Sequence, residues 1–207
     1  VFDRVGKLRR VFQRPVGEAE LEALLASFRE GAPASADLER RGSRLVEQGR
    51  YEEGLEILRM AEPGQPKNAI IRYHMGIACF YLGRDSDALM HFRSAVELEP
   101  DYARARYNYG ETLRKVGRFG ESVEQFEAVL RLRGEDAGTL FSLGDAAASA
   151  GQYARAIDAF ERSLKREPAN VPLLCAKAQV HMILKQPAEA REALERALEL
   201  KPGDARA

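Results

Sequence analysis

The feature that most constrains the fold of this chain is a period of 34 residues, which repeats without insertion or deletion. A glycine recurs at one phase of this period, a large apolar residue at a second, a small residue at a third and a proline at a fourth. The four columns are Gly42, Gly76, Gly110, Gly144 and Ala178; Leu58, Phe92, Phe126, Phe160 and Leu194; Gly54, Ala88, Ser122, Ala156 and Ala190; and Pro66, Pro100, Gly134, Pro168 and Pro202. A strict period of this size indicates a solenoid, in which each unit packs only on its neighbours.

Each unit has the pattern of two amphipathic helices joined by a short turn. In the third unit, apolar residues at helical spacing predict one helix over about 103–116 and another over about 119–132. Gly117 marks the turn between them, and Gly134 ends the second helix. The sequence therefore predicts an all-α fold of stacked antiparallel helix pairs.

The repeating part is predicted to cover residues 35–204, after a different leading segment. That segment, 1–34, is predicted to hold a basic amphipathic helix followed by a degenerate half-repeat that caps the stack. The five expected units are 35–68, 69–102, 103–136, 137–170 and 171–204.

The glycine column calls for a packing reason, because a glycine inside a helix costs about 1 kcal/mol relative to alanine. The simplest explanation is that the second helix crosses there and leaves no room for a side chain. We expect the crossing to place Gly76, Gly110 and Gly144 against the small residues Ala88, Ser122 and Ala156.

With these columns in place, the chain resembles the tetratricopeptide repeat family. Leu143-Gly144 matches the family's signature at positions seven and eight of the unit, and Met75-Gly76 and Tyr109-Gly110 match it in softened form. The resemblance covers 35–204. It implies a right-handed superhelix, an α-solenoid, and a non-enzymatic scaffold or adaptor that binds protein segments along its concave face.

Composition narrows the classes of partner. The chain has 32 Lys plus Arg and 32 Asp plus Glu, so its formal charge is zero. Nucleic-acid binding needs clustered positive charge, and we do not expect it here. No apolar run approaches the ~20 residues of a membrane span, and no secretory signal pattern occurs, so we expect a cytoplasmic protein.

No pattern in the chain points to catalysis, a metal or a cofactor. His74, His91 and His181 are not spaced as metal ligands with carboxylates or cysteines, and His181 occupies a core position. Cys79 and Cys175 lie three units apart, too far for a disulfide, and are expected to be small buried apolar residues. We therefore predict that the protein is not an enzyme.

The resemblance implies that the first helix of each unit lines the concave groove. The second unit then presents an apolar face, and the third offers three cations beside it. We expect a partner segment to dock an apolar anchor on the former and an acidic group on the latter. The alternative is that the aromatics are background from the family consensus. The expected groove residues are Ile70, Tyr73, Ile77, Phe80, Tyr81, Arg104, Tyr107, Glu111, Arg114, Lys115, Phe141 and Asp145.

Family members that hold chaperone C-terminal tails use a Lys/Asn/Arg clamp. Glu39 and Ser43 stand at the matching positions of the first unit. We therefore do not expect chaperone tails as partners.

The basic leader 1–14 is open to three interpretations: it packs on the first unit as a cap, it docks into the groove of a neighbouring copy to form a homo-oligomer, or it lies on an anionic membrane surface. The residues expected to mediate self-association are Val5, Leu8, Arg9, Arg10 and Phe12.

Two alternatives concern the wider setting. The Ala/Arg-rich composition favours a bacterial source, and the layout resembles bacterial scaffolds of this family that self-assemble on a membrane compartment, such as the magnetosome-associated one. The second alternative is the adaptor region of a larger enzyme, for example a glycosyltransferase.

Overall fold

A computed structural model describes residues 34–200, and within them the chain forms ten α-helices and one short 3-10 helix, Glu62–Gly64. We call the helices of each pair its first and second helix. The first helices are α1 Ser35–Glu47, α3 Ala69–Tyr81, α5 Ala103–Lys115, α7 Ala137–Ser149 and α9 Val171–Ile183. The second helices are α2 Tyr51–Ala61, α4 Asp85–Leu98, α6 Phe119–Arg133, α8 Tyr153–Arg166 and α10 Pro187–Leu200.

Packing follows the order of the chain. Each helix contacts the next one in sequence, and each first helix also contacts the first helix of the adjacent pair. Residues 34–200 contain no β-strand. The predicted all-α solenoid of antiparallel helix pairs is confirmed, and the helices predicted over 103–116 and 119–132 are Ala103–Lys115 and Phe119–Arg133.

The turn within each pair needs a left-handed backbone. Gly49, Gly83, Gly117 and Gly151 have φ between 72° and 81° at the same phase of the period. Glycine adopts this conformation without the steric cost that a Cβ brings. The fifth turn has Lys185 at this phase, with φ 57°.

The glycine column lies where the two helices of a pair come close, and the small-residue column lies beside it as expected, but the large apolar column fills the space of the missing side chains. A Cβ at Gly144 would lie 2.4 Å from Cε1 of Phe160, and one at Gly76 would lie 2.7 Å from the Phe92 ring. The large apolar column, rather than the small-residue column, therefore occupies the space that a side chain would need at each glycine. The glycines are needed because fully buried aromatic rings pack directly on the backbone.

The small-residue column has a different contact with the same glycines. The Ser122 hydroxyl donates a 2.8 Å hydrogen bond to the carbonyl oxygen of Gly110. In the first pair, a Cβ at Gly54 would lie 3.1 Å from the carbonyl oxygen of Gly42. Small residues at this phase thus let the second helix approach the first helix's backbone.

The buried apolar residues divide into two clusters. The first extends from α1 to Tyr109 and Leu113 of α5, and the second begins at Val123 and Phe126 of α6. The division falls between the two helices of the third pair. Half-buried Tyr107 reaches across it, with its ring edge-on to Phe126 at a centroid distance of 5.5 Å.

His91 gives the fold a predictable response to pH. The residue is buried, and its Nδ1 has no hydrogen-bond partner among residues 34–200. Burial, with a smaller contribution from Arg72, lowers the pKa of His91 below its usual 6.5. Below pH 6.5 the unfolded chain takes up a proton that the folded chain does not, so stability falls until the pH reaches the folded pKa.

We expect His91→Leu to reduce this loss of stability on acidification, because the group that titrates is gone. Urea unfolding midpoints between pH 7.5 and 5 measure the effect, with wild type as reference. The same pH dependence in the variant and the wild type would contradict the assignment.

Candidate functional site

The first helices lie side by side and form one continuous face, which we call the groove. Side chains join neighbouring first helices across it: the Tyr107 hydroxyl lies 3.2 Å from Oγ of Ser142, and Nδ2 of Asn108 lies 3.4 Å from the Tyr73 hydroxyl. These contacts come from the fifth and sixth positions of the units, so side chains at these positions join neighbouring units.

Tyr73 is used mainly for packing. Its ring centroid lies 5.0 Å from those of His74 and Tyr102, and 6.2 Å from that of Phe92. Burial raises the pKa of Tyr73, and it raises the pKa of Tyr102 to about 12. Both phenols therefore stay neutral at physiological pH, and little of the Tyr73 ring is left for a partner.

An aromatic cluster lies at the C-terminal end of α3 and consists of Tyr51, Phe80 and Tyr81. The Tyr81 side chain is 62% exposed and stacks flat on Tyr51, with centroids 4.8 Å apart and planes 5° from parallel. Phe80 meets Tyr81 edge-on at 5.5 Å. The aromatic cluster is thus an ordered apolar surface open to solvent.

Tyr51 was absent from the predicted groove because it begins a second helix. The sequence did contain a signal for Tyr51, because Phe119 and Tyr153 occupy the same phase of the 34-residue period. In the second pair that phase holds Asp85. The Asp85 carboxylate accepts a 2.6 Å hydrogen bond from Nζ of Lys115, and this ammonium lies 4.9 Å from the Phe80 ring centroid.

Two of the three predicted groove cations are already paired. Arg114 contacts Asp145 at 2.9 Å and Glu111 at 2.8 Å, and Lys115 contacts Asp85. Each of these pairs places a carboxylate where a partner's acidic group was expected. The charges of Arg114 and Lys115 are therefore already compensated within the chain.

Arg104 is the predicted cation that stays open, being exposed and without an ion-pair partner within residues 34–200. Ile70, which is also exposed, occupies the equivalent position of α3, one period earlier. Tyr81 follows Ile70 by eleven positions, which corresponds to a rise of about 16 Å along a helix. The structure thus separates the predicted site into the aromatic cluster and an Ile70–Arg104 end.

The other predicted groove residues are largely used within the stack. Ile77 is half-buried against the first cluster, and Phe141 lies 6.2 Å from Phe160 between ring centroids. The predicted self-association residues, Val5, Leu8, Arg9, Arg10 and Phe12, lie outside the described residues.

Residues 34–200 contain no group of His, Cys, Asp and Glu arranged to hold a metal ion, and no helix among them is long and apolar enough to cross a bilayer. Cys79 is buried as expected, and burial raises the pKa of its thiol. Cys175 is only half-buried, which corrects the expectation that both cysteines lie in the core.

Comparisons with known proteins agree with this architecture. The family model described as tetratricopeptide repeat matches residues 73–138, 110–171 and 141–205. No curated protein matches the sequence.

Several solved structures share the fold. MamA from Desulfovibrio magneticus RS-1 is 24% identical with a TM-score of 0.76, over 84% of this chain and 98% of its own. MamA AMB-1 is 21% identical with a TM-score of 0.75, over 82% and 92%. YrrB, described as a TPR protein with an unusual peptide-binding site, is 16% identical with a TM-score of 0.79, over 87% and 93%.

Proposed function

Because this chain belongs to the tetratricopeptide repeat family, we propose that it is a non-enzymatic scaffold that captures segments of partner proteins in its groove. The observation that carries the proposal is the aromatic cluster of Tyr51, Phe80 and Tyr81. Rigid aromatic surfaces supply contact area at low entropic cost, and they often dominate the energetics of protein interfaces. The solved fold neighbour YrrB is itself described as having a peptide-binding site.

The partner's apolar anchor is expected to lie on the open face of Tyr81. The Lys115–Asp85 pair borders the aromatic cluster and supplies a polar rim without a net charge. Such a rim favours an uncharged side chain over an acidic one at this end of the groove. An aliphatic or aromatic anchor fits this surface best.

The partner's acidic group is expected at the other end, beside Arg104 and Ile70. An extended segment covers about 3.3 Å per residue, so the distance of about 16 Å corresponds to roughly five residues. The proposed partner segment therefore carries an apolar anchor and, about five residues away, an Asp or Glu. This replaces the sequence-based expectation of an acidic group near Arg114 and Lys115.

The first test replaces Tyr81 by serine, because this side chain is exposed and its loss leaves the core intact. Affinity capture with mass spectrometry identifies the partner, and fluorescence anisotropy then measures the affinity of the partner peptide. We expect Tyr81→Ser to weaken binding about tenfold or more. Arg104→Ala is expected to weaken peptide binding less than Tyr81→Ser does. The difference in affinity between Arg104→Ala and wild type should shrink at high salt.

The matched control is Met90→Ser, which removes an equally exposed apolar side chain from the second helix α4. It is expected to bind the peptide as wild type does. The Phe80→Ser/Tyr81→Ser double variant extends the test to the whole aromatic cluster, with circular dichroism to confirm the fold. Unchanged peptide affinity in folded Tyr81→Ser and in the folded double variant would overturn the proposal.

A membrane-associated scaffold is the second candidate, motivated by the basic amphipathic pattern of the leader 1–14. Sedimentation with vesicles rich in anionic lipid, with and without residues 1–16, tests it. Binding that needs the leader would support this candidate, and no binding by the full chain would remove it.

A further inference from the structure

The last helix pair leaves large apolar side chains exposed at the end of the described stack. Leu194 and Leu198 of α10 are 39% and 47% exposed. Met182 and Ile183, at the end of α9, are exposed as well. We call these four residues the end surface.

The period shows what this kind of surface contacts inside the stack. One unit earlier, the residues equivalent to Leu194 and Leu198 are Phe160 and Leu164, and both are buried. They lie in one cluster with Leu173 and Leu174 of the following first helix, α9. The end surface therefore has the position and chemistry of a site that receives a first helix.

Helix α1 of a second copy does not fit this site. In the inner first helix α3, Ile71, Met75 and Ala78 are buried in one cluster with Leu55, Leu58 and Ala61 of the preceding helix α2. The equivalent residues of α1 are Asp37, Arg41 and Arg44, and all three are exposed. Stacking α1 on the end surface would bury three charges on leucines, which costs more than the apolar contact returns.

The sequence of the leader 1–14 has the apolar spacing of an inner first helix, which α1 lacks. Its apolar residues Val1, Val5, Leu8 and Phe12 have the same spacing of four, three and four as Ile71, Met75 and Ala78 of α3 and Leu82, which caps that helix. This spacing places them on one face of a helix.

Charge favours the same pairing. The leader has five cations, Arg4, Lys7, Arg9, Arg10 and Arg14, against Asp3. Exposed Glu195 and Glu199 follow Leu194 and Leu198 by one residue each on α10, and within residues 34–200 neither forms an ion pair. We propose that the end surface binds the leader of a second copy of this chain, with the leader's apolar face on Leu194 and Leu198 and its cations beside these glutamates.

This contact joins two different surfaces, so it is heterologous and each bound copy leaves one leader and one end surface open. The protein is then expected to form chains whose mean mass rises with concentration. The two leucines proposed to receive the leader lie on the second helix α10 and not on a first helix, so this proposal holds or fails independently of peptide capture at Tyr81.

The test uses two full-length variants that each remove one side of the contact. Leu194→Ser/Leu198→Ser removes the end surface, and Val5→Ser/Leu8→Ser removes the apolar face of the leader. By light scattering, wild type is expected to grow in mass with concentration and each variant alone is expected to stay monomeric. An equal mixture of the two is expected to give a one-to-one dimer, because it retains one leader and one end surface that match.

Two control variants distinguish this contact from other causes of association. Met60→Ser/Met90→Ser removes two comparably exposed apolar side chains from other second helices and is expected to associate as wild type does. Glu195→Arg/Glu199→Arg leaves the leucines in place and is expected to weaken association about tenfold at low salt, with a smaller difference at high salt. It keeps the test valid if the double serine variant fails to fold.

Three results would each overturn the proposal. The first is a wild type that stays monomeric up to its solubility limit. The second is normal association by both the folded end-surface variant and the charge-reversal variant. The third is association that the leader variant and Tyr81→Ser abolish but the end-surface variant keeps, which would place the leader in the groove instead.

Discussion

Among single glycine-to-leucine substitutions, Gly144→Leu is expected to destabilise the stack most. A Cβ at this position would lie 2.4 Å from Cε1 and 2.5 Å from Cδ1 of Phe160, and leucine adds three further carbon atoms. Phe160 is fully buried between two helices and has no free volume into which it can move. We expect a loss of about 3 kcal/mol or more in the free energy of unfolding.

Gly120→Leu is the matched control, because Gly120 also lies in a helix and nothing stands within 4 Å of its Cβ position. There the same change should be neutral or stabilise by up to about 1 kcal/mol, since leucine is the better helix former. Urea unfolding followed by circular dichroism compares the two. Equal stability of Gly144→Leu and Gly120→Leu would refute the packing of Phe160 on the glycine backbone.

Phe126→Ala is expected to cost about 3–5 kcal/mol, because it leaves a cavity in the middle of the stack. The Phe126 side chain is fully buried, and its ring lies 3.0 Å from the Cβ position of Gly110 and edge-on to Tyr107. The helices around it are held by packing on both sides, so the cavity cannot close by a local shift.

The matched control is Leu132→Ala on the same helix, whose side chain is 40% exposed and should cost much less. Thermal melting of both variants measures the difference. Equal melting temperatures of Phe126→Ala and Leu132→Ala would contradict this expectation, because they would show that the third pair relaxes around the cavity.

The period was sufficient to predict the helices, their pairing and the phase of the tight turns. Within one unit, the surroundings of a residue follow from its phase, so Gly144 and Ala156 could be assigned to the helix crossing. Which of two neighbouring columns fills the space beside the glycine was not predictable, because residues 12 and 16 positions away both lie near it. Which of the two residues lies closer to the glycine depends on the angle between the helices.

The groove was harder to predict because its ion pairs join different units. Lys115 pairs with Asp85, 30 residues before it, and Arg114 with Asp145, 31 residues after it. Neither separation equals the period, so each pair depends on how one unit is rotated against the next. A count of cations by helical phase identified Arg104, Arg114 and Lys115 as groove residues, but not which of them would be open.

The division of the buried core between α5 and α6 bears on how the two proposed docking sites communicate. The aromatic cluster lies on α2 and α3, beside the first buried cluster, whereas the end surface lies on α9 and α10, beside the second. Repeat arrays transmit stability mainly between nearest neighbours. A peptide on Tyr81 and a leader on Leu198 should therefore bind without cooperativity. Each molecule within an assembled chain would then bind the peptide with the same affinity as an isolated molecule.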